Sequence, residues 1–210
     1  MSTPTPQLVL ASASPRRREL LERVGVPFTV APADVDESQL PGESADDYVV
    51  RVAADKARVV AALRPGTVVL GADTAVVCDG VALGKPSDTA AAMEMLSTLA
   101  GRSHQVLTGV AVLDADGIEH SVLARATVTM APSTTAELAW YVATGEPMDK
   151  AGAYAVQGIG AVLVEHVDGD PTTVIGLPLR TTLDLVRAAG VHWPVSQVNG
   201  GGRAPGGDPG

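Results

Sequence analysis

The chain has 210 residues, 46% of them hydrophobic and only 3% aromatic, with a formal net charge of -9. That acidity excludes a general nucleic-acid binder, which would need a basic surface, while the apolar content suffices for one sizeable core of Val, Leu and Ala. The single cysteine, Cys78, excludes an internal disulfide; no apolar run approaches membrane-spanning length and no secretory leader precedes the first strand, so a cytoplasmic enzyme or binding protein is the expected class.

Residues 1–6 are polar and contain prolines, and residues 195–210 are rich in Gly and Pro; both ends are expected to be disordered around a single domain over 7–194. An apolar run at about 7–12 predicts a strand. Ser14-Pro15 then opens a helix to about 24, which Gly25 ends as a left-handed cap. A second strand near 28–32 runs into an acidic loop holding Asp34, Asp36 and Glu37. Ser44-Ala45-Asp46-Asp47 reads as a capping box for a helix to about 63, with Val49, Val52, Ala53, Ala57 and Val60 close to one stripe and Lys56 beside it. Residues 67–70 form a strand, and Asp79-Gly80 is the turn of a hairpin joining 75–78 to 81–83.

Ser87 caps a helix to about 100, ended by Gly101. Strands near 105–113 and 118–130 are joined by a turn at Asp116-Gly117, and Thr134-Thr135-Ala136-Glu137 is a capping box for a helix to about 143. A strand near 160–167 and a helix at about 178–189 complete the core. Hairpins mixed with crossovers predict an α/β fold with a mixed sheet.

Four features carry chemistry. Arg16, Arg17 and Arg18 fill the first turn of the first helix, where the macrodipole disfavours each cation by roughly 0.3–1 kcal/mol. The arrangement is either a solvated basic turn or a polyanion site made with the free N–H groups of that helix start. Asp73 interrupts an apolar run fit for a buried strand, so it needs a cation, a metal or a water-filled cleft, unless it caps a turn at the strand end. A carboxylate against an apolar wall is a natural general base or metal ligand. Lys85, in Gly84-Lys85-Pro86, is either solvated or set beside a ligand, and Lys56 either joins a site or snorkels outward. Asp149-Lys150-Ala151-Gly152-Ala153-Tyr154 and Gln157-Gly158-Ile159-Gly160 make a Gly-rich loop, in which Gln157 offers both donors and acceptors to a base edge, unless it is an ordinary Gly-rich turn. The four histidines have no metal-ligand spacing, and neither the P-loop nor the dinucleotide glycine pattern occurs. The residues by themselves point to a small phosphorylated ligand, an acidic catalyst and a divalent metal.

Ser12-Ala13-Ser14-Pro15-Arg16-Arg17, Ala72-Asp73-Thr74, Gly84-Lys85-Pro86, Asp149-Lys150-Ala151-Gly152-Ala153-Tyr154 with Gln157-Gly158, and Gly176-Leu177-Pro178-Leu179 follow one another in order. Together they resemble the Maf family of nucleoside triphosphate pyrophosphatases over about residues 7–187. The resemblance implies a mixed β-sheet with flanking helices, two lobes around a deep cleft, and an assembly that is often a homodimer. It also implies a house-cleaning reaction, dependent on Mg²⁺ or Mn²⁺, that splits a nucleoside triphosphate into monophosphate and pyrophosphate. Asp73 then matches the proton acceptor. Arg16, Arg17, Lys56 and Lys85 match positions that grip the phosphate chain, with Ser12 and Ser14 in the same loop, and Glu37 with Asp73 matches acidic positions linked to metal.

One branch of that family prefers dTTP and UTP, another 7-methyl-GTP. Arg16, Thr74 and Gln157 are similar to the first branch, where the second carries Trp, Gln and Glu. One departure stands out: the family often reads Gly-Asp-Tyr-Ser-Asn-Val before Gly-Leu-Pro, whereas this chain has Gly169-Asp170-Pro171-Thr172-Thr173-Val174. Outside the pyrophosphatase reading, the resemblance leaves a nucleotide-binding regulator of septum formation or cell division, and the residues leave another enzyme, a phosphate-ester hydrolase.

Overall fold

Seven strands make one mixed sheet in the computed structural model, which describes residues 7–193. They are β1 (Leu8–Leu10), β2 (Phe28–Val30), β3 (Val68–Cys78), β4 (Val81–Leu83), β5 (Ser103–Leu113), β6 (Glu119–Met130) and β7 (Val164–Asp168). The helices are α1 (Pro15–Arg23), α2 (Ala45–Leu63), α3 (Thr89–Leu99), α4 (Thr135–Ala143), α5 (Pro171–Ile175) and α6 (Leu179–Ala188). The strand order is β2-β1-β3-β5-β6-β7, with β4 beside β3. β1 is parallel to β2 and β3; the other pairs are antiparallel. The ends expected to be disordered, 1–6 and 195–210, lie outside the described residues. Among the described residues no helix is long and apolar enough to cross a membrane.

Because side chains alternate across a strand, β3 serves two faces at once. On one face Val69 packs with Ala53, Ala57 and Val60 of α2, and Ala75 packs with Val49. The other face is split. Val68, Leu70 and Ala72 pack with Leu20, Leu21 and Val186 of α1 and α6, whereas Val76 and Cys78 pack with Leu96, Leu99 and Tyr141 of α3 and α4. The two lobes thus share β3. α2 lies close on its side because the sheet offers glycine there: a Cβ on Gly71 would run into the carbonyl oxygen of Ala53, and one on Gly109 into that of Val49.

The caps form as their residues dictate. Ser44 Oγ accepts the Asp47 N–H at 3.1 Å, and Thr134 and Glu137 exchange both bonds of a capping box. Asp79 and Gly80 take φ of 50° and 79° in their turn. Four expectations are corrected. Residues 67–70 and 75–78 are not two strands but parts of one 11-residue strand, since Gly71 to Thr74 continue its pairing to β5. α3 is capped by Asp88, whose side chain accepts the Ala91 N–H at 2.8 Å, and not by Ser87. Residues 159–163 wind as a 3-10 helix before β7 begins at Val164. β2 ends at Val30, short of Pro32. Asp170 and Pro171 start α5, a short helix that sequence pattern does not reveal.

Candidate active site

β5 covers one edge of β3, and β1 and β4 take opposite ends of the other edge. Residues 71–75 therefore have no strand beside them on that side. The resulting gap opens into a cleft of about 730 Å³. Ser12, Ser14, Arg16, Arg17, Glu37, Lys56, Asp73, Thr74, Lys85 and Gln157 all line it.

Asp73 lies on the α2 face of β3, where Lys56 reaches it. Lys56 Nζ is 2.8 Å from Asp73 Oδ1 and 2.8 Å from Glu37 Oε1. Lys56 and Asp73 are both 6% exposed, so the cost of removing two charges from water, several kcal/mol each, is offset by pairing them. Glu37 is half-exposed, and the Tyr48 hydroxyl donates to its backbone carbonyl at 2.9 Å, tying that loop to α2. Asp73 Oδ2 has no hydrogen-bond partner among the described residues. No group of three or more His, Cys, Asp or Glu suited to a metal exists among the described residues. Two carboxylates alone make an incomplete cage. They do fit a hard divalent cation such as Mg²⁺, which takes one or two carboxylates and fills its shell from substrate phosphates.

The loop after β1 and the first turn of α1 form the opposite wall. Ser14 occupies the N-cap position but makes no side-chain cap bond; its N–H donates instead to Ser12 Oγ at 3.2 Å. Arg17 turns inward. Its Nη1 donates to Ser12 Oγ at 3.0 Å, its Nη2 to Thr74 Oγ1 at 3.1 Å and its Nε to the Gly176 carbonyl at 2.8 Å. Burial lowers its pKa from the ordinary guanidinium value, with Asp73 opposing the shift. The guanidinium carries five N–H groups, so two remain for an anion. Arg16 stays nearer solvent and donates to Asp149 Oδ2 at 2.8 Å on the far side of the cleft. Lys85 is exposed on the turn after β4, and Gln157 is exposed in the loop between two 3-10 turns.

Three participants escaped sequence reading. Thr108 of β5 is fully buried and donates its hydroxyl hydrogen to the Thr173 carbonyl at 2.8 Å. Its bond to Thr74 Oγ1, at 3.0 Å, must then take its hydrogen from Thr74. A polar residue inside the apolar run 106–113 was the signal for it. Asp149 and Glu146 lie beside the Gly-rich loop, Asp149 within a motif quoted above and Glu146 three residues before it. The departure at residues 169–174 keeps a defined part: Asp170 caps α5, Thr173 receives Thr108, and the following Gly176, at φ 118°, presents its carbonyl to Arg17.

The family described as Maf-like protein matches residues 7–189. A dTTP/UTP pyrophosphatase from Anaeromyxobacter dehalogenans (strain 2CP-C) is 53% identical over 195 residues, covering 91% of this chain and 98% of that protein. Another, from Symbiobacterium thermophilum, is 52% identical over 185 residues, covering 88% and 94%. Among solved structures, a HAM1 protein from Coxiella burnetii aligns with 15% identity and a TM-score of 0.47 over 87% of this chain and 99% of that chain. A match that begins just ahead of β1 and runs past the end of α6, shared with relatives more than half identical over nearly their whole length, means that the chain belongs to the Maf-like protein family.

Proposed function

We propose that this chain is a nucleoside triphosphate pyrophosphatase acting on dTTP and UTP, cleaving the α–β anhydride to release monophosphate and pyrophosphate. The observation that carries the reading is the Asp73–Lys56–Glu37 centre, set in the gap of β3 opposite the arginine-bearing start of α1. The activity for which those relatives are named supports the same reaction. In this reading Asp73 holds a water through Oδ2 and takes its proton as the water attacks the α-phosphorus. The new P–O bond forms as the bond to the bridging oxygen breaks, and that oxygen's electron pair leaves with pyrophosphate. Lys56 fixes the carboxylate of this base through Oδ1. Arg16, Arg17 and Lys85, with the Ser12–Ser14 loop, hold the phosphate chain and balance its growing charge. A divalent cation held by Glu37 and Asp73 would neutralise phosphate charge and improve the leaving group. Gln157 meets the pyrimidine edge, and Arg16 and Thr74, which line the same cleft, complete the set that selects the base. The reading treats residues 7–194 as one catalytic unit that works in the cytoplasm, paired with a second copy.

Asp73→Asn tests it. The variant retains Lys56 bound to Glu37, folds, and binds dTTP, but turns it over about 10²–10⁴-fold more slowly, as loss of a positioned base does. The assay scores pyrophosphate and orthophosphate separately. Orthophosphate release by the wild type, or near-normal turnover by the variant, overturns the mechanism.

A further inference from the structure

Glu146 sits on a 3-10 turn (Glu146–Asp149) with a half-buried side chain that no step above uses. Its carboxylate grips two successive peptide groups. Oε1 accepts the Ile159 N–H at 2.9 Å, Oε2 accepts the Gly160 N–H at 2.8 Å, and the Tyr141 hydroxyl donates to Oε2 at 2.8 Å. Two glycines make room for the grip: a Cβ on Gly158 would overlap Oε1, and one on Gly160 would come within 2.5 Å of the Tyr141 hydroxyl. Burial alone would raise the pKa of Glu146, but the Gly160 N–H, the Tyr141 hydroxyl and the Ile159 N–H outweigh it, and the carboxyl is held below its ordinary range. The gripped segment follows directly on Gln157.

The same residue is tied to the phosphate side of the cleft. Lys150 Nζ donates to the Glu146 carbonyl at 2.7 Å and to Asp149 Oδ1 at 2.6 Å, and Asp149 Oδ2 receives Arg16 at 2.8 Å. A polar chain thus connects Arg16 to the Gln157 loop.

We propose that Glu146 is the positioning residue for nucleobase selection: it fixes residues 157–160 so that the Gln157 amide meets a pyrimidine edge, without itself touching substrate. The inference rests on the reading of Gln157 as the base contact of a dTTP/UTP pyrophosphatase. An amide reads a base by direction as well as distance, since a hydrogen bond weakens steeply once misaligned. Freeing the loop therefore costs selection before it costs chemistry.

The experiment compares wild type, Glu146→Ala and Tyr141→Phe as full-length chains. Kinetics with UTP, dTTP, CTP and GTP are joined by calorimetric binding of non-hydrolysable UTP and GTP analogues and by amide hydrogen exchange at residues 158–160. In Glu146→Ala, exchange at Ile159 and Gly160 rises and KM for UTP increases roughly 10- to 100-fold. Its kcat stays within about threefold, and the UTP-to-GTP preference falls by about tenfold or more, because only orientation has been lost. Tyr141→Phe moves the same quantities in the same direction by up to about 10-fold, since one charge-assisted hydrogen bond is lost while the two peptide N–H bonds to the carboxylate remain. Gly158→Ala is severe in the wild type but adds little to Glu146→Ala, whose missing carboxylate was the obstacle. Unchanged exchange, or an equal loss for every base, overturns the inference, and Tyr141→Phe decides it if Glu146→Ala fails to fold. Wild-type protein that binds UTP in preference to GTP without turnover would refute the pyrophosphatase reading and still leave this inference to be decided by the binding ratio.

Discussion

Thr108 determines what Thr74 can offer a ligand. With the Thr108 hydrogen given to the Thr173 carbonyl and the Thr74 hydrogen given to Thr108, Thr74 faces Arg17 with lone pairs only. Thr74 thus seats Arg17 and has no hydrogen left to donate to a base. Replacing Thr108 with the isosteric Val orphans the Thr173 carbonyl and lets the Thr74 hydroxyl rotate. Leaving such buried groups unpaired costs about 1–3 kcal/mol, and KM for UTP is expected to rise as Arg17 loosens. Urea unfolding and steady-state kinetics measure the two effects, and a variant indistinguishable from wild type in both would remove Thr108 from the site. Arg17 was legible in sequence as a cation at a helix start. That it spends three donors on Ser12, Thr74 and Gly176 was not, because two of those partners lie 57 and 159 residues away.

The seat of α2 governs the acidic centre, because Lys56 reaches Asp73 only while that helix lies close on the sheet. Gly71→Ala would push a methyl group into the Ala53 carbonyl, which belongs to a helix backbone and cannot swing aside. Such overpacking typically costs about 1–3 kcal/mol, or roughly 2–4 °C in Tm for each kcal/mol in a chain of this size. Turnover should fall with stability as Lys56 withdraws, and a variant with normal Tm and normal rate would show that the close seat is dispensable. Elements with local signals were readable in the sequence: the Ser44 and Thr134 caps, the turn glycines and the apolar stripe of α2. β3 was not read as continuous, since Gly71 and Asp73 look like interruptions to anyone unable to see α2 and Lys56 filling the space beside them. The 3-10 turns from 146 to 163 and the short helix α5 follow neither a 3.6- nor a 2-residue period, and they are held by distant partners such as Glu146 and Thr108.

At the scale of the whole molecule, one buried histidine links stability to pH. His104 is 3% exposed; its Nε2 meets the Tyr154 hydroxyl at 2.7 Å, and its Nδ1 has no partner among the described residues. Burial pushes its pKa down from 6.5 to about 4. The unfolded chain therefore takes up this proton on acidification before the folded one does. The contribution is complete above about pH 6.5 and is lost as pH falls toward 4, to the extent of about 3 kcal/mol. Over that window unfolding free energy should drop more steeply for wild type than for His104→Gln, as measured by denaturant titration at each pH. Parallel slopes would mean that His104 does not carry the effect.

The strand shared by the two lobes also sets a ruler. β1 ends its pairing at Leu70 and β4 begins at Val76, so the open stretch of five residues is about 17 Å long at the pitch of a strand. Its length is quantised by the pleat. Inserting one residue ahead of Asp73 would turn the carboxylate to the face of α1 and bring a neighbour to Lys56 in its place. Inserting two would restore the faces but carry Asp73 about 7 Å farther from the Ser12–Ser14 loop. A cleft built this way can be lengthened only in two-residue steps, and each step is longer than a hydrogen bond can stretch. The spacing between the carboxylate and the basic wall is therefore fixed by the backbone repeat itself, before any side chain is chosen.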